Sequence, residues 1–145
     1  LPAKVIVTTG PHIDPDSLNA PAWVEVHRFA PHAELMPGVS VLLGHGGHGT
    51  AMAALAHDIP AAEFPLDPKA DHEMLGRSLE RAGAGRLLRR RASAHDVRDA
   101  VAALLADGPH RDAAARLGAR VRSSAGAVGA ADALEAALPS HANTK

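Results

Sequence analysis

The residues best suited to chemistry are His45-Gly-Gly-His-Gly-Thr50, which follow the apolar run Val39-Ser-Val-Leu-Leu43 and precede the alanine-rich stretch from Ala51. A strand, a glycine-rich turn and a helix in that order can cradle phosphates. The helix N-terminus offers unpaired backbone amides and the positive end of its dipole. Gly46, Gly47 and Gly49 let the backbone approach an anion with no Cβ in the way. Thr50 can supply a hydroxyl and cap the helix, while His45 and His48 can bond an anionic oxygen or, when protonated, oppose its charge. The spacing matches neither the dinucleotide fingerprint G-x-G-x-x-G nor the P-loop, because no Lys follows the last Gly. P-loop nucleotide hydrolysis is therefore excluded. Taken alone, the turn is equally consistent with a tight strand-to-helix connection bearing solvated histidines. A metal shared by His45 and His48, with His32 or His72, lacks a local carboxylate or Cys to complete it, so no metal is expected.

Strands and helices must position this turn. Lys4–Thr9 is a β-branched run closed by Gly10-Pro11, and Trp23–His27 alternates as a second strand. Phe29-Ala-Pro-His32 leaves that strand, and Glu34–Met36 allows one helical turn. Val39–Leu43 makes the third strand and Ile59–Phe64 the fourth. A helix from about Ala70 to Ala82 puts Met74, Leu75, Ser78, Leu79 and Ala82 on one face, with Gly83 as its cap. Arg86–Leu88 reads as a short edge strand. Ser93 and Asp96 form a capping box for a helix turning Val97, Val101 and Leu104 inward. Pro109 opens the next helix, a last helix reaches about Leu138, and residues 139–145 are expected to be a frayed tail. Strands alternating with helices, then helices alone, predict an α/β fold: a Rossmann-like open parallel sheet, helices on both faces, and a helical C-terminal extension.

Composition narrows the function. The chain has 145 residues with a net charge of -1, one Trp, two Phe, no Tyr and no Cys. That length suits one domain. Disulfides and thiolate metal sites are excluded. The near balance of charge provides no broad footprint for nucleic acid, and Arg89–Arg91 reads as a solvated turn. No apolar run approaches the roughly 20 residues of a membrane span, and the start carries no signal-peptide pattern. A cytoplasmic protein is expected.

The run from Val24 to Gly85 resembles the donor-binding, C-terminal domain of GT-B glycosyltransferases that use nucleotide sugars. The likeness is to the UDP-glycosyltransferase-like type that decorates actinobacterial natural products. Phe29-Ala-Pro-His32 stands where that family carries aromatic-x-Pro-Gln, Leu35-Met-Pro37 at its Leu-Leu-Pro, and His45–Thr50 at its His-Gly-Gly-x-Gly-Thr. Asp58-Ile-Pro60 falls at Gly-Val-Pro, Pro65 at the next proline, Asp71-His72 at Asp-Gln, and Ala82–Gly85 at the closing Gly-x-Gly. The resemblance implies that Phe29 lies against the nucleobase, that the Ala30 backbone bonds the base edge, and that His32 sits near base or ribose. His45, with the amides around Gly46, Gly47, His48, Gly49 and Thr50, would hold the diphosphate. Asp71 and His72 would address the donor sugar. Three departures matter: Ala53 replaces a ribose-binding Glu, His72 replaces Gln, and His48 replaces a small residue.

The implied reaction is inverting, metal-independent transfer of a sugar from a UDP- or dTDP-sugar to a hydroxyl of a small-molecule acceptor. The nucleotide sugar is a substrate, and no cofactor is expected. The turn would stabilise the leaving diphosphate. The general base and the acceptor site belong to an N-terminal domain in the family, so no catalytic residue is expected here. In relatives a strand inside the sheet precedes the segment resembling Lys4–Gly10. Residues 1–138 are accordingly read as a partial donor domain, incomplete at its N-terminus, that would associate with an N-terminal fragment or second subunit and be inactive alone. The alternatives are a non-catalytic nucleotide-binding module, and a sugar-nucleotide epimerase-like protein for which Glu63 and Asp67 are the nearby acids.

Overall fold

The computed structural model describes residues 3–106 and 108–138; the expected tail at 139–145 and Asp107 lie outside them. Five short strands alternate with helices: β1 Val5–Thr8, β2 Val24–His27, α1 His32–Leu35, β3 Leu42–Gly44, α2 His48–Ala56, β4 Ala61–Glu63, α3 His72–Arg81 and β5 Gly85–Leu87. The helices α4 Ala94–Leu105, α5 Pro109–Ser123 and α6 Gly126–Ala137 follow. The expected α/β order with a helical C-terminal half is present. Two 3-10 turns were not anticipated in kind, Pro15–Leu18 inside the polar connection and Met36–Gly38 after α1.

All strand pairs are parallel, but they form two ladders rather than one sheet: β1 with β2, and β3-β4-β5. Among the described residues, no strand bonds both β1 and β3, so each keeps one unpaired edge. In the first ladder the β-branched residues alternate. Val5 pairs Val24 and Val7 pairs Val26, while Lys4 reaches across to Glu25 at 2.8 Å on the wet face.

The core is built around β4. Successive strand residues point to opposite faces, so Ala61 packs with Ala51 and Leu55 of α2, Leu79 of α3, and Ala113 and Ala114 of α5. Ala62 packs with Leu88 and with Ala100 and Leu104 of α4. Helices therefore cover both faces of this ladder, and alanine on each side lets them come close. Met36, Ala54 and Ile59 form a third cluster beside the site. Leu104 is fully buried, and Leu104→Ala should cost about 2–5 kcal/mol, read as a lower urea midpoint at unchanged slope.

Local signals explain most element ends. Both halves of the Ser93–Asp96 capping box form, and Pro109 opens α5 in its first turn. Asp58, at the position where the resemblance places Gly, has φ +61°. Arg122 of α5 holds it there at 2.7 Å and also bonds the Ala56 carbonyl, offsetting the Cβ strain of a left-handed residue. Other expectations change. Of the face expected for α3, Leu79 is buried but Met74 and Ser78 are exposed, and Gly76 is buried as well. The face is narrower because only one side of a short helix meets the sheet. The third and fourth strands are trimmed to three residues each, and α6 buries nothing, leaving Val128, Leu134 and Leu138 exposed.

Candidate functional site

The glycine turn leaves the carboxyl end of β3, as an α/β ligand turn should. One correction concerns its helix. Thr50 does not cap α2: the helix begins at His48 with Gly47 at the N-cap and no side-chain cap bond. The glycines let the chain enter the helix three residues sooner than a Thr50 cap would need. The first bond closing the helix runs from the Ala51 amide to the Gly47 carbonyl. The amides of His48, Gly49 and Thr50 in the first turn are thus left without helical partners.

Gly46 is the structural centre of the turn. It is buried, has φ +91°, and a Cβ there would stand 2.9 Å from the Cα, Cβ and carbonyl oxygen of His72. Only glycine accepts that backbone and that proximity. Its amide does not face solvent; it donates to Glu63 Oε2 at 2.7 Å. The ring of exposed His45 folds back over Gly47, where its Nε2 lies 2.7 Å from the position a Cβ would take. The His45 and His72 rings meet edge to face at 4.9 Å between centroids. His72 opens α3 after Asp71 at the N-cap, which makes no side-chain cap bond. The buried Nδ1 of His72 has no hydrogen-bond partner.

The fold therefore joins His45, Gly46 and His72, residues drawn from two βα connections, around one small shelf with free amides beside it. Phe29, Ala30 and His32 follow the carboxyl end of β2. Phe29 is 79 % exposed, so it is not core, and His32 is exposed at the start of α1. Ala53 is half-buried against the Met36 cluster. A recess of about 380 Å³ lies elsewhere, between α3, β5 and α4, and none of the candidate residues lines it.

Glu63 was the residue missed as part of this site. It is 1 % exposed at the end of β4, the only buried charged residue among those described. Burial pushes its carboxyl up from 4.5 to about 7, against the lowering effect of the Gly46 amide. The signal in the sequence was a lone acid inside the apolar strand Ile59–Phe64, between two prolines.

Comparison with known proteins identifies the family. The family model described as Erythromycin biosynthesis protein CIII-like, C-terminal domain, matches residues 1–136. The chain belongs to that family. The chain is 36 % identical over 132 residues to 4'-demethylrebeccamycin synthase of Lentzea aerocolonigenes, covering 90 % of this chain and 30 % of that protein. It is 30 % identical over 119 residues to demethyllactenocin mycarosyltransferase of Streptomyces fradiae, covering 81 % and 25 %. Its fold superposes on the crystal structure of CalG4, the calicheamicin glycosyltransferase, with a TM-score of 0.82 at 28 % identity, over 92 % of this chain and 35 % of that one. The chain thus spans about a third or less of the length of these relatives. Among the described residues no helix is long and apolar enough to cross a membrane.

Proposed function

We propose that the protein is the donor-binding part of a cytoplasmic glycosyltransferase that takes a sugar from a UDP- or dTDP-sugar to a hydroxyl of a small-molecule acceptor. The observation carrying this reading is the turn itself: three first-turn amides of α2 without helical partners, with the His45 ring folded back over Gly47 at the N-cap. That arrangement fits a diphosphate whose negative charge grows as the bond to the sugar breaks. With amides and a histidine available to that charge, the reaction as proposed is metal-independent and needs no cofactor, and direct displacement inverts the anomeric centre. The exposed Phe29 ring and the Ala30 backbone take the base, His32 stands near base or ribose, and Asp71 and His72 meet the sugar. Family membership and the transferases among its relatives support the class of reaction.

Residues 1–138 form the donor unit in this reading. The acceptor site and general base lie in an N-terminal part, either a joined fragment or a second subunit, whose strand would pair with the free edges of β1 and β3. The epimerase alternative rests on two acids. Glu63 is buried beneath the turn, and exposed Asp67 binds the Lys69 amide at 2.9 Å.

Isothermal titration with UDP and dTDP tests the proposal. Either nucleotide should bind, and His45→Ala should weaken it by about 1–3 kcal/mol, the range for a charged hydrogen-bond partner. If wild type binds neither at millimolar concentrations, the reading is wrong.

A further inference from the structure

We propose that Glu63 is a positioning residue of the glycine turn, and that nucleoside diphosphate binding there draws a proton onto its carboxyl group. This rests on the diphosphate reading of the turn above.

Glu63 follows Ala61 by two residues and so points to the same face of β4, toward α3. There it packs beside Gly76: a Cβ on Gly76 would make ordinary contact with the Glu63 Cβ at 3.5 Å, while meeting Leu87 Cδ1 at 2.6 Å. Above it, a Cβ on Gly44 would come within 2.8 Å of Oε2. The carboxyl is thus enclosed between the strand that enters the turn and the helix that begins at His72. Its recorded bond is to the Gly46 amide, the donor at the centre of the turn. Through that bond it sets the direction of the Gly46 peptide, and with it the approach to the free amides of α2. No ion pair to Glu63 is recorded among the described residues.

The neighbouring ionisable groups are engaged elsewhere. On α3, Arg77 pairs with Glu73 and Glu80 accepts the Leu87 amide. On α4, Asp96 serves its capping box and Asp99 meets His95 at 3.0 Å. Arg86 on β5 is exposed. On α5, His110 bonds the Gly83 carbonyl; His45, His48 and His72 are at the turn itself, with Asp71 exposed beside them at the N-cap of α3. A diphosphate arriving on the turn brings like charge close to a carboxyl shielded from water. Like charge favours the protonated form. The group already titrates near neutrality because of its burial, so the added anion takes up a proton in the range where the protein works.

The test is titration of the protein with UDP and dTDP between pH 7 and 8.5, in two buffers of different ionisation enthalpy, for wild type, E63Q and E63M. Most histidine charge and the terminal phosphate proton are spent over this range. Wild type should take up about half a proton at pH 7.5 and lose about five- to tenfold in affinity by pH 8.5. E63Q keeps an acceptor for Gly46, so it should fold and bind, with no uptake and less than a twofold change. E63M, without the acceptor, should bind more weakly at every pH. A purely structural Glu63 would lower affinity without altering proton uptake. Equal uptake and equal pH profiles in wild type and E63Q overturn the inference and leave the diphosphate reading standing. Failure of wild type to bind either nucleotide overturns both.

Discussion

Gly46→Ala is expected to cost about 2–5 kcal/mol of stability and to reduce nucleotide binding by more than that loss explains. Two costs combine. An L-residue held at φ +91° is strained by about 1–2 kcal/mol. The new methyl would also stand 2.9 Å from three atoms of His72, two of them backbone atoms that cannot swing aside. Overpacking of that kind costs about 1–3 kcal/mol. Relief requires the start of α3 to move away from the turn, which separates the His45 and His72 rings and turns the Gly46 amide from Glu63. Denaturant unfolding gives the first effect and nucleotide titration at a temperature where the variant is folded gives the second. A variant with wild-type midpoint and affinity would show that the turn and α3 are not coupled.

Glu63→Gln should do the opposite, stabilising the protein by about 3 kcal/mol at pH 8 and by almost nothing at pH 4. The native carboxyl keeps its proton up to about pH 7, while the unfolded chain releases it near 4.5. Between those values the unfolded state gains by ionising and the native state does not. Wild-type stability from this group is therefore greatest below pH 4.5, falls as pH rises to about 7, and is level beyond. The offset corresponds to about 3 kcal/mol, and burial at 1 % exposure leaves little solvent screening to reduce it. Glutamine still accepts the Gly46 amide and carries no charge to bury. Unfolding free energies of both proteins from pH 4 to 8 give the check; parallel curves would mean that the native carboxyl titrates as in water.

Both predictions turn on a contact between elements that are distant along the chain, and this is where reading the sequence reached its limit. The β-branched and alternating runs of β1 and β2, the Ser93–Asp96 box and Pro109 act through neighbouring residues, and each was legible as written. So was the glycine turn, because a strand, three glycines and a helix make a local shape whatever surrounds them. Its resemblance to the donor domains was equally local, carried by short motifs in order. The cap of α2 was misplaced at Thr50 because glycine freedom permits several entries to a helix. Met74 shares the periodic face of α3 yet stays exposed, because periodicity names a face and not its width.

What the sequence by itself determined is the class of fold, the order of its elements, the family, and the strand-glycine-helix shape of the turn. Only the tertiary structure decided that the parallel strands divide into two ladders, that His72 arrives against Gly46 and His45, and that Glu63 lies beneath the turn with its proton near neutrality. The physical reason is common to all three. Strand pairing, ring contact and desolvation depend on separations of a few ångströms between segments up to some 27 residues apart, as Gly46 and Glu63 or His45 and His72 are. Periodicity along the chain carries no record of those distances. A lone acid in an apolar strand marks a place to look, but whether it meets water, a cation or a backbone amide is settled by what folds over it.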